Sequence, residues 1–277
     1  MPAISKKSKV KVSRSQIEEN IDNLITENRF TIAVLFPLFG CLMMVLSSEW
    51  SNLPQILRFN PALILFGVLI MRLPLASGLL PLINKKSAFL IVLLTVYTYV
   101  IEIIGVSTGF PYGEFEYGVS LGPMFFDVPI ALPLFFIPLV FNSYLLSILL
   151  FDFTDRRILR IPAVVLIVIL IDMILDPAAV SLGLWSYSQG IYYGVPIQNY
   201  AGWILSATVA TVLIDASFDF SQLKSRVQNC EYFLDDMVSF SLMWGLINLY
   251  YLSVIPAIIT LVFVVSLIKT EKFNFVI

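Results

Sequence analysis

Apolar residues in this chain come in long blocks. They show neither the two-residue rhythm of a half-buried strand nor the three-to-four-residue rhythm of a surface helix. Blocks close to the ~20 residues that a membrane-crossing helix needs occupy 30–48, 61–83, 88–106, 128–151, 161–182 and 201–218. A further block, 237–268, is too long for one crossing. Tyr250, Tyr251 and Pro256 fall near its middle, so it reads as a tight pair of short helices. The pattern predicts an all-α integral membrane protein, a polytopic bundle of about eight transmembrane helices, with seven as the alternative.

The polar segments between the blocks set the orientation. With the N-terminus inside, the cytoplasmic segments hold Lys6, Lys7, Lys9, Lys11, Arg14, Arg29, Lys85, Lys86, Arg156, Arg157, Arg160, Lys224, Arg226, Lys269 and Lys272. Of the 17 Lys and Arg, only Arg58 then falls outside and only Arg72 within a block. This is the positive-inside bias, and it puts both termini in the cytoplasm. No cleavage pattern follows the first block, which reads as a retained span. Ser15 and Glu18 fit a capping box, and Ile17, Ile21, Leu24 and Ile25 share one helical face. Residues 16–27 are therefore either a short helix on the inner surface or an unstructured basic tail. The expected organisation is a basic cytoplasmic tail over 1–29, a single transmembrane domain over 30–268 and a short cytoplasmic tail over 269–277, in the plasma membrane.

Composition narrows the chemistry. Of the 277 residues, 58% are hydrophobic and 13% charged, against roughly 45–50% and about 25% in soluble proteins. Mean hydropathy is +0.90. There is no histidine. That excludes His-ligated iron or zinc, haem on a proximal His, and Ser-His or Cys-His dyads. The two cysteines, Cys41 and Cys230, make neither a disulfide framework nor a metal site. A net charge of -2 points to no charged partner, and nothing suggests nucleic acid. No cofactor and no metal are expected, and the lipid bilayer is the expected surrounding.

Ionisable groups inside apolar blocks are costly and mark functional candidates. They are Arg72, Glu102, Asp172, Asp176 and Asp215. At 1.5 Å per residue, Glu102 and Asp176 lie ~21 and ~22 Å above the inner ends of their blocks, at similar depth towards the outer leaflet. Asp172 and Asp176, four residues apart, share a helical face. Asp172 and Arg72 lie nearer the midplane, and Arg72 is the one basic group inside the blocks, so three carboxyls face one guanidinium. At least one carboxyl is then expected to be protonated, which is what a general acid requires. The competing reading is structural: Arg72 pairs with one acid and the others bond between helices. Asp215 sits near the inner end, within reach of cytoplasmic water.

Two outer loops, 107–127 and 183–200, carry no Lys or Arg but many aromatics and turn residues. They follow the two spans that bear the high-lying acids. Single Tyr and Trp at this level often form an interfacial belt. Together these loops suit the lid of an aromatic cavity with carboxyls at its base, fitted to a long apolar molecule with one reacting end. Aromatic faces there could also stabilise a passing cation.

The residues that carry a resemblance are now in view. The first set is Glu102, Gly105, Thr108, Gly109, Phe110, Pro111, Tyr112, Gly113, Phe115 and Tyr117, then Leu121, Gly122 and Pro123, then Val128 and Pro129. The second is Asp172, Asp176 and Pro177, then Gly183 and Trp185, then Tyr193, Gly194, Val195, Pro196 and Asn199, then Gly202 and Trp203. Over about residues 60–265 the chain resembles the carotenoid biosynthesis membrane proteins, whose named members are carotenoid hydratases. The resemblance implies addition of water to a terminal isoprenoid C=C of an acyclic carotenoid, of C50 bacterioruberin or lycopene type, without a redox cofactor. Such a hydration starts with protonation of the less substituted alkene carbon, and water then captures the tertiary carbocation. Glu102 or Asp176 is the expected proton donor, with Asp172 supporting. Thr108 and Asn199 are expected to hold the water. Tyr112, Tyr117, Trp185, Tyr193 and Trp203 are expected to line the substrate, and Arg72 to be a structural counter-ion. Other membrane enzymes of the carotenoid pathway are expected partners.

Two other functions share some of these features. A membrane carotene or prenyl-lipid cyclase would use the same protonation but quench the cation internally. A proton-coupled lipid transporter would also bury acids, but commonly shows repeats. The only echo here is Tyr117-Gly118-Val119 with Tyr193-Gly194-Val195. An iron-dependent carotene dioxygenase is excluded by the missing histidine. Asp235-Asp236 is an isolated pair without the second Asp-rich motif of a prenyltransferase.

Overall fold

The structure is a computed structural model and describes residues 13–50, 52, 54 and 60–275. Lys6, Lys7, Lys9, Lys11 and Arg58, used above to orient the chain, lie outside the described residues, as does most of the basic tail. The first helix, α1, runs Arg14–Glu27. Its capping box is Ser13 with Gln16 rather than Ser15 with Glu18. Both pairs offer a hydroxyl and a reaching polar side chain three residues on, but Ser13 has the extended backbone a cap needs. Ile25 is buried in the bundle, while Ile17 and Leu24 stay exposed.

The apolar blocks become helices. A π turn at Thr31–Leu35 leads directly into α2, Phe36–Glu49. The second block is split into α3, Pro61–Met71, and α4, Leu73–Leu79, followed by a short 3-10 turn at Leu80–Leu82. The break falls at Arg72, just before Pro74, whose ring and missing N–H disrupt a continuing helix. Next come α5, Lys85–Thr108; α6, Pro133–Leu150; α7, Arg157–Ser181; and α8, Ile197–Ser217. The polar α9, Phe220–Asn229, leads to α10, Asp235–Tyr250, and α11, Val254–Lys269. Among the described residues, six helices, counting the π turn with α2 and α3 with α4, are long and apolar enough to cross a membrane. The expected pair within 237–268 is present as α10 and α11, joined by a turn at Tyr251–Ser253.

Several helices begin before their apolar blocks. α5 starts at Lys85 under an Asn84–Ser87 capping box, and α8 starts at Ile197, which brings Asn199 onto a helix. The fourth block works the other way. Its first residues are a strand and turn, and α6 starts only at Pro133, where proline suits a helix N-terminus.

The loops after α5 and α7 contain strands that the apolar blocks do not announce. β1, Phe115–Tyr117, pairs antiparallel with β4, Trp185–Tyr187. β2, Met124–Phe125, pairs with β3, Val128–Pro129. The β1–β4 ribbon joins the loop after α5 to the loop after α7 and closes the top of the bundle over the space between them.

At the opposite end, the described N- and C-terminal segments meet. Arg29 forms a two-pronged pair with Asp235, Nε–Oδ2 2.9 Å and Nη2–Oδ1 3.0 Å, and also reaches Glu231 and the Asn274 carbonyl. Arg226 reaches Asp22, and Lys272 donates to the carbonyls of Gln228 and Cys230. Asp215 is held here as well. Arg157 and Arg160 pair with it and Tyr144 donates to it, so it is sealed from the water expected around it.

Candidate active site

The acids inside the bundle fall into two groups. Asp215, Asp235 and Asp236 each have an arginine partner. Glu102, Asp172 and Asp176 have none among the described residues. All three are buried, at 9%, 0% and 4% exposure. Arg72 is a counter-ion, but to Asp236, not to any of these three. Asp236 takes its guanidinium, and no ion pair joins Arg72 to the three acids. A structural ion-pair network therefore does not account for Glu102, Asp172 and Asp176.

Helix phase gathers the three. On α5, Thr98, Glu102 and Gly105 lie at the three-to-four-residue spacing of one buried face. On α7, Asp172 and Asp176 follow each other at i and i+4. On α8, Asn199, Gly202 and Ser206 share a face. Asn199 Nδ2 donates to Asp172 Oδ2 at 2.8 Å and to Asp176 Oδ2 at 2.6 Å, so one amide clamps both carboxyls. Gly202 lets the backbone of α8 approach the α5–β1 loop. A Cβ there would stand 2.5 Å from the Tyr112 ring and 2.9 Å from the Pro111 carbonyl.

The ribbon supplies the roof. In a strand, alternate side chains face the same way. Phe115 and Tyr117 therefore face inward with Trp185 and Tyr187, while Glu116 and Ser186 face out. Glu116 pairs with Ser186 at the centre. A local two-fold through that pair exchanges Tyr117 with Tyr187 and Phe115 with Trp185. The helix before each strand carries an acid, and the third residue of each strand is a tyrosine that reaches back to it. Tyr117 donates to Glu102 Oε1 at 2.5 Å, and Tyr187 donates to Asp176 Oδ2 at 2.9 Å. Burial, and then the neighbouring carboxyls, hold both phenols well above their usual range, so both are neutral donors.

These groups line one cavity of about 80 Å³ between α5, α6, α7 and α8. Its walls are otherwise apolar or aromatic, including Tyr112, Phe115, Phe135, Phe136, Leu175 and Trp203. The rings form a continuous chain. Trp185 and Tyr117 are 6.4 Å apart, Tyr117 and Phe115 5.8 Å, Phe115 and Tyr112 6.4 Å, Tyr112 and Trp203 6.0 Å, and Trp203 and Phe136 4.9 Å. Tyr112 is fixed by its hydroxyl contact with Ser206 at 2.7 Å. Buried Asp172 Oδ1 and Tyr200 Oη, close to Asp176 but outside the cavity lining, have no hydrogen-bond partner among the described residues, and the Trp185 indole on the cavity wall interacts with Asp176. No group of three metal-ligating side chains occurs among the described residues.

Of the residues singled out by sequence, Glu102, Asp176, Tyr112, Tyr117, Trp185, Asn199 and Trp203 line this cavity, and Asp172 stands behind Asn199. Two do not. Thr108, the last residue of α5, is exposed and bonds back to the Ile104 carbonyl. Tyr193 sits at φ 49° in a turn, and its hydroxyl accepts the Ile255 N–H. Sequence reasoning passed over Tyr187 and the apolar wall residues Leu132, Phe135, Phe136 and Leu175. The aromatic-polar-aromatic alternation of Phe115-Glu116-Tyr117 and Trp185-Ser186-Tyr187 was the available signal for Tyr187.

No solved structure matches the chain. The chain is similar to the bisanhydrobacterioruberin hydratase of Haloarcula japonica, with 46% identity over 265 residues, 95% of this chain and 90% of the relative. The profile of the carotenoid biosynthesis proteins matches residues 59–267, a span that takes in α3 to α11 with both acid-bearing helices and both strands of the ribbon. On that match and that identity, the chain belongs to the carotenoid biosynthesis protein family.

Proposed function

We propose that this protein is a carotenoid hydratase, a hydro-lyase that adds water to a terminal isopropylidene C=C of an acyclic carotenoid without a redox cofactor. The observation that carries the reading is a pair of acids without counter-ions, each bonded to a tyrosine and both lining one aromatic cavity. The name of the Haloarcula japonica relative supports it. A C50 bacterioruberin-type or lycopene-type chain is the substrate class. A cavity of about 80 Å³ accepts a chain end rather than a chain, since a single water already needs ~10–15 Å³ of such space. The remainder of the substrate lies outside that cavity.

The hydrogen bonds divide the roles. Glu102 accepts from one donor, Tyr117, whereas Asp176 accepts from two, Tyr187 and Asn199. Donors favour the ionised form of a carboxyl. Glu102 is therefore the proton donor and Asp176 the carboxylate. The Glu102 proton goes to the less substituted alkene carbon, and the π electrons form the new C–H bond. The tertiary cation faces Tyr112, Trp185 and Trp203, whose ring faces stabilise it by ~2 kcal/mol or more when desolvated. A water held near Asn199 and Asp176 attacks the cation and gives its proton to Asp176. Return of that proton to Glu102 completes the cycle. Asp172 keeps Asn199 in position.

The same reading takes residues 30–268 as one transmembrane domain of eight crossings in the plasma membrane, with both ends in the cytoplasm. The cytoplasmic side is the one where Arg29, Arg226 and Lys272 gather. It also allows contact with other carotenoid-pathway membrane enzymes. The test is expression in a host that makes lycopene or an acyclic C50 precursor, with mass spectrometry of the pigments. Gain of one or two waters supports the hydratase, an isomer of unchanged mass supports a cyclase, and unchanged pigment with every precursor contradicts both.

A further inference from the structure

We propose that the buried node of Arg72, Asn142 and Asp236 is a binding site for a single water, placed to supply the second reactant of the hydration. The proposal rests on the hydratase reading above. Asp236 is fully buried and both of its oxygens are used. Oδ1 takes the Arg72 guanidinium, and Oδ2 takes Asn142 Nδ2 at 2.6 Å. Arg72 Nε donates to the Leu134 carbonyl at 3.0 Å. What is left over is Asn142 Oδ1, buried and without a hydrogen-bond partner among the described residues. An unpaired buried amide oxygen is unfavourable, and its natural complement is an O–H.

Arg72 and Asn142 line a cavity of about 10 Å³, otherwise walled by apolar side chains such as Leu139, Ile171 and Trp244. That is close to the ~10–15 Å³ that admits one water, and too small for any piece of an isoprenoid chain. A water there donates to Asn142 Oδ1 and accepts from the guanidinium.

The position gives the node its use. Phe135 and Leu175 line both this cavity and the larger one that holds the acids. Leu175 is the neighbour of Asp176 in sequence. Phe135 and Leu175 are thus the wall shared by the two spaces, and the proposed supply passes it by movement of these side chains. Hydration of a carotenoid inside a bilayer requires water where the solvent is hydrocarbon, and this node provides it a single molecule at a time.

Two variants test this. Asn142→Leu removes the amide at nearly constant volume. Leu139→Phe fills the cavity while leaving Arg72, Asn142 and Asp236 in place, and it carries the test if Asn142→Leu fails to insert. The assay is run in D2O. Once deuterated, the substrate cation is either captured by water or loses a proton to a carboxylate and returns as deuterium-bearing alkene. The ratio of returned deuterated alkene to hydrated product should rise about tenfold in each variant, the scale of one hydrogen bond lost to a charged group. An unchanged ratio overturns the supply role. An experimental map that resolves the node should contain an ordered water bonded to Asn142 Oδ1. Its absence overturns the site. If the unmodified protein gives neither hydrated nor deuterated pigment, the hydratase reading fails, and the map alone then decides whether the node binds water.

Discussion

A carboxyl in the hydrocarbon interior costs about 2.5–3.5 kcal/mol even by the more lenient scales. Asp215, Asp235 and Asp236 offset that with an arginine, while Glu102, Asp172 and Asp176 use phenol, amide and indole neighbours in an apolar surround. The tyrosines are therefore the residues on which the acids depend. Tyr117→Phe and Tyr187→Phe should each slow hydration ~10–100-fold, the weight of a hydrogen bond to a charged group. Membrane insertion and thermal stability in detergent should stay close to those of the parent. Thr108→Val and Tyr193→Phe should stay within about twofold, as side chains away from the cavity do. Comparable losses in all four variants would sink this assignment. The acids were legible in the sequence because a charge in an apolar block stands out. Thr108 and Tyr193 fall outside the cavity lining, since a residue's place in a motif does not give its direction. Thr108 turns its hydroxyl back to its own helix, and Tyr193 is a turn residue.

At the scale of elements, the β1–β4 ribbon positions both tyrosines at once. Gly118 directly follows β1 and donates its N–H to the Leu184 carbonyl at 3.0 Å. A Cβ at this position would stand 2.2 Å from the Gly183 carbonyl oxygen, a backbone atom that cannot swing away. Gly118→Ala should therefore part the two strands and lower hydration at least as much as loss of one tyrosine hydroxyl, with the amount of inserted protein unchanged. Full activity in that variant would mean that the ribbon does not set the geometry. The helices were legible because ~20-residue apolar blocks have few other readings. Their polar first turns were not, since Lys85 and Arg157 open helices outside any apolar block. The break at Arg72 and the ribbon were hidden for a related reason. Three-residue strands in aromatic loops are too short for periodicity to register against the interfacial belt.

Across the whole molecule, the end opposite the ribbon is fastened by ion pairs. Arg29 is the principal clasp, 6% exposed and paired with the fully buried Asp235. Arg29→Met leaves that carboxylate uncompensated and should cost ~3–5 kcal/mol. A lower Tm in detergent with unchanged turnover per folded molecule is the expected pair of results, because the clasp is remote from the acids. The proposed orientation makes Gln189→Cys, in the outer loop, reactive to an impermeant thiol reagent in intact cells. Ser225→Cys, on α9, should react only after permeabilisation, and the native Cys41 and Cys230 are buried. Reversed labelling would invert the proposed topology. The central claim is that two buried acids add water to an isoprenoid C=C, and isotope labelling tests it most directly. Membranes carrying the protein are given an acyclic carotenoid in D2O enriched in heavy-oxygen water, and the pigments are analysed by mass spectrometry. The account predicts a tertiary alcohol with heavy oxygen on the tertiary carbon and one deuterium on its neighbour, and no such product from Glu102→Gln or Asp176→Asn. Labelled alcohol formed at the parent rate by both variants, or pigment without solvent label from the parent protein, would contradict it.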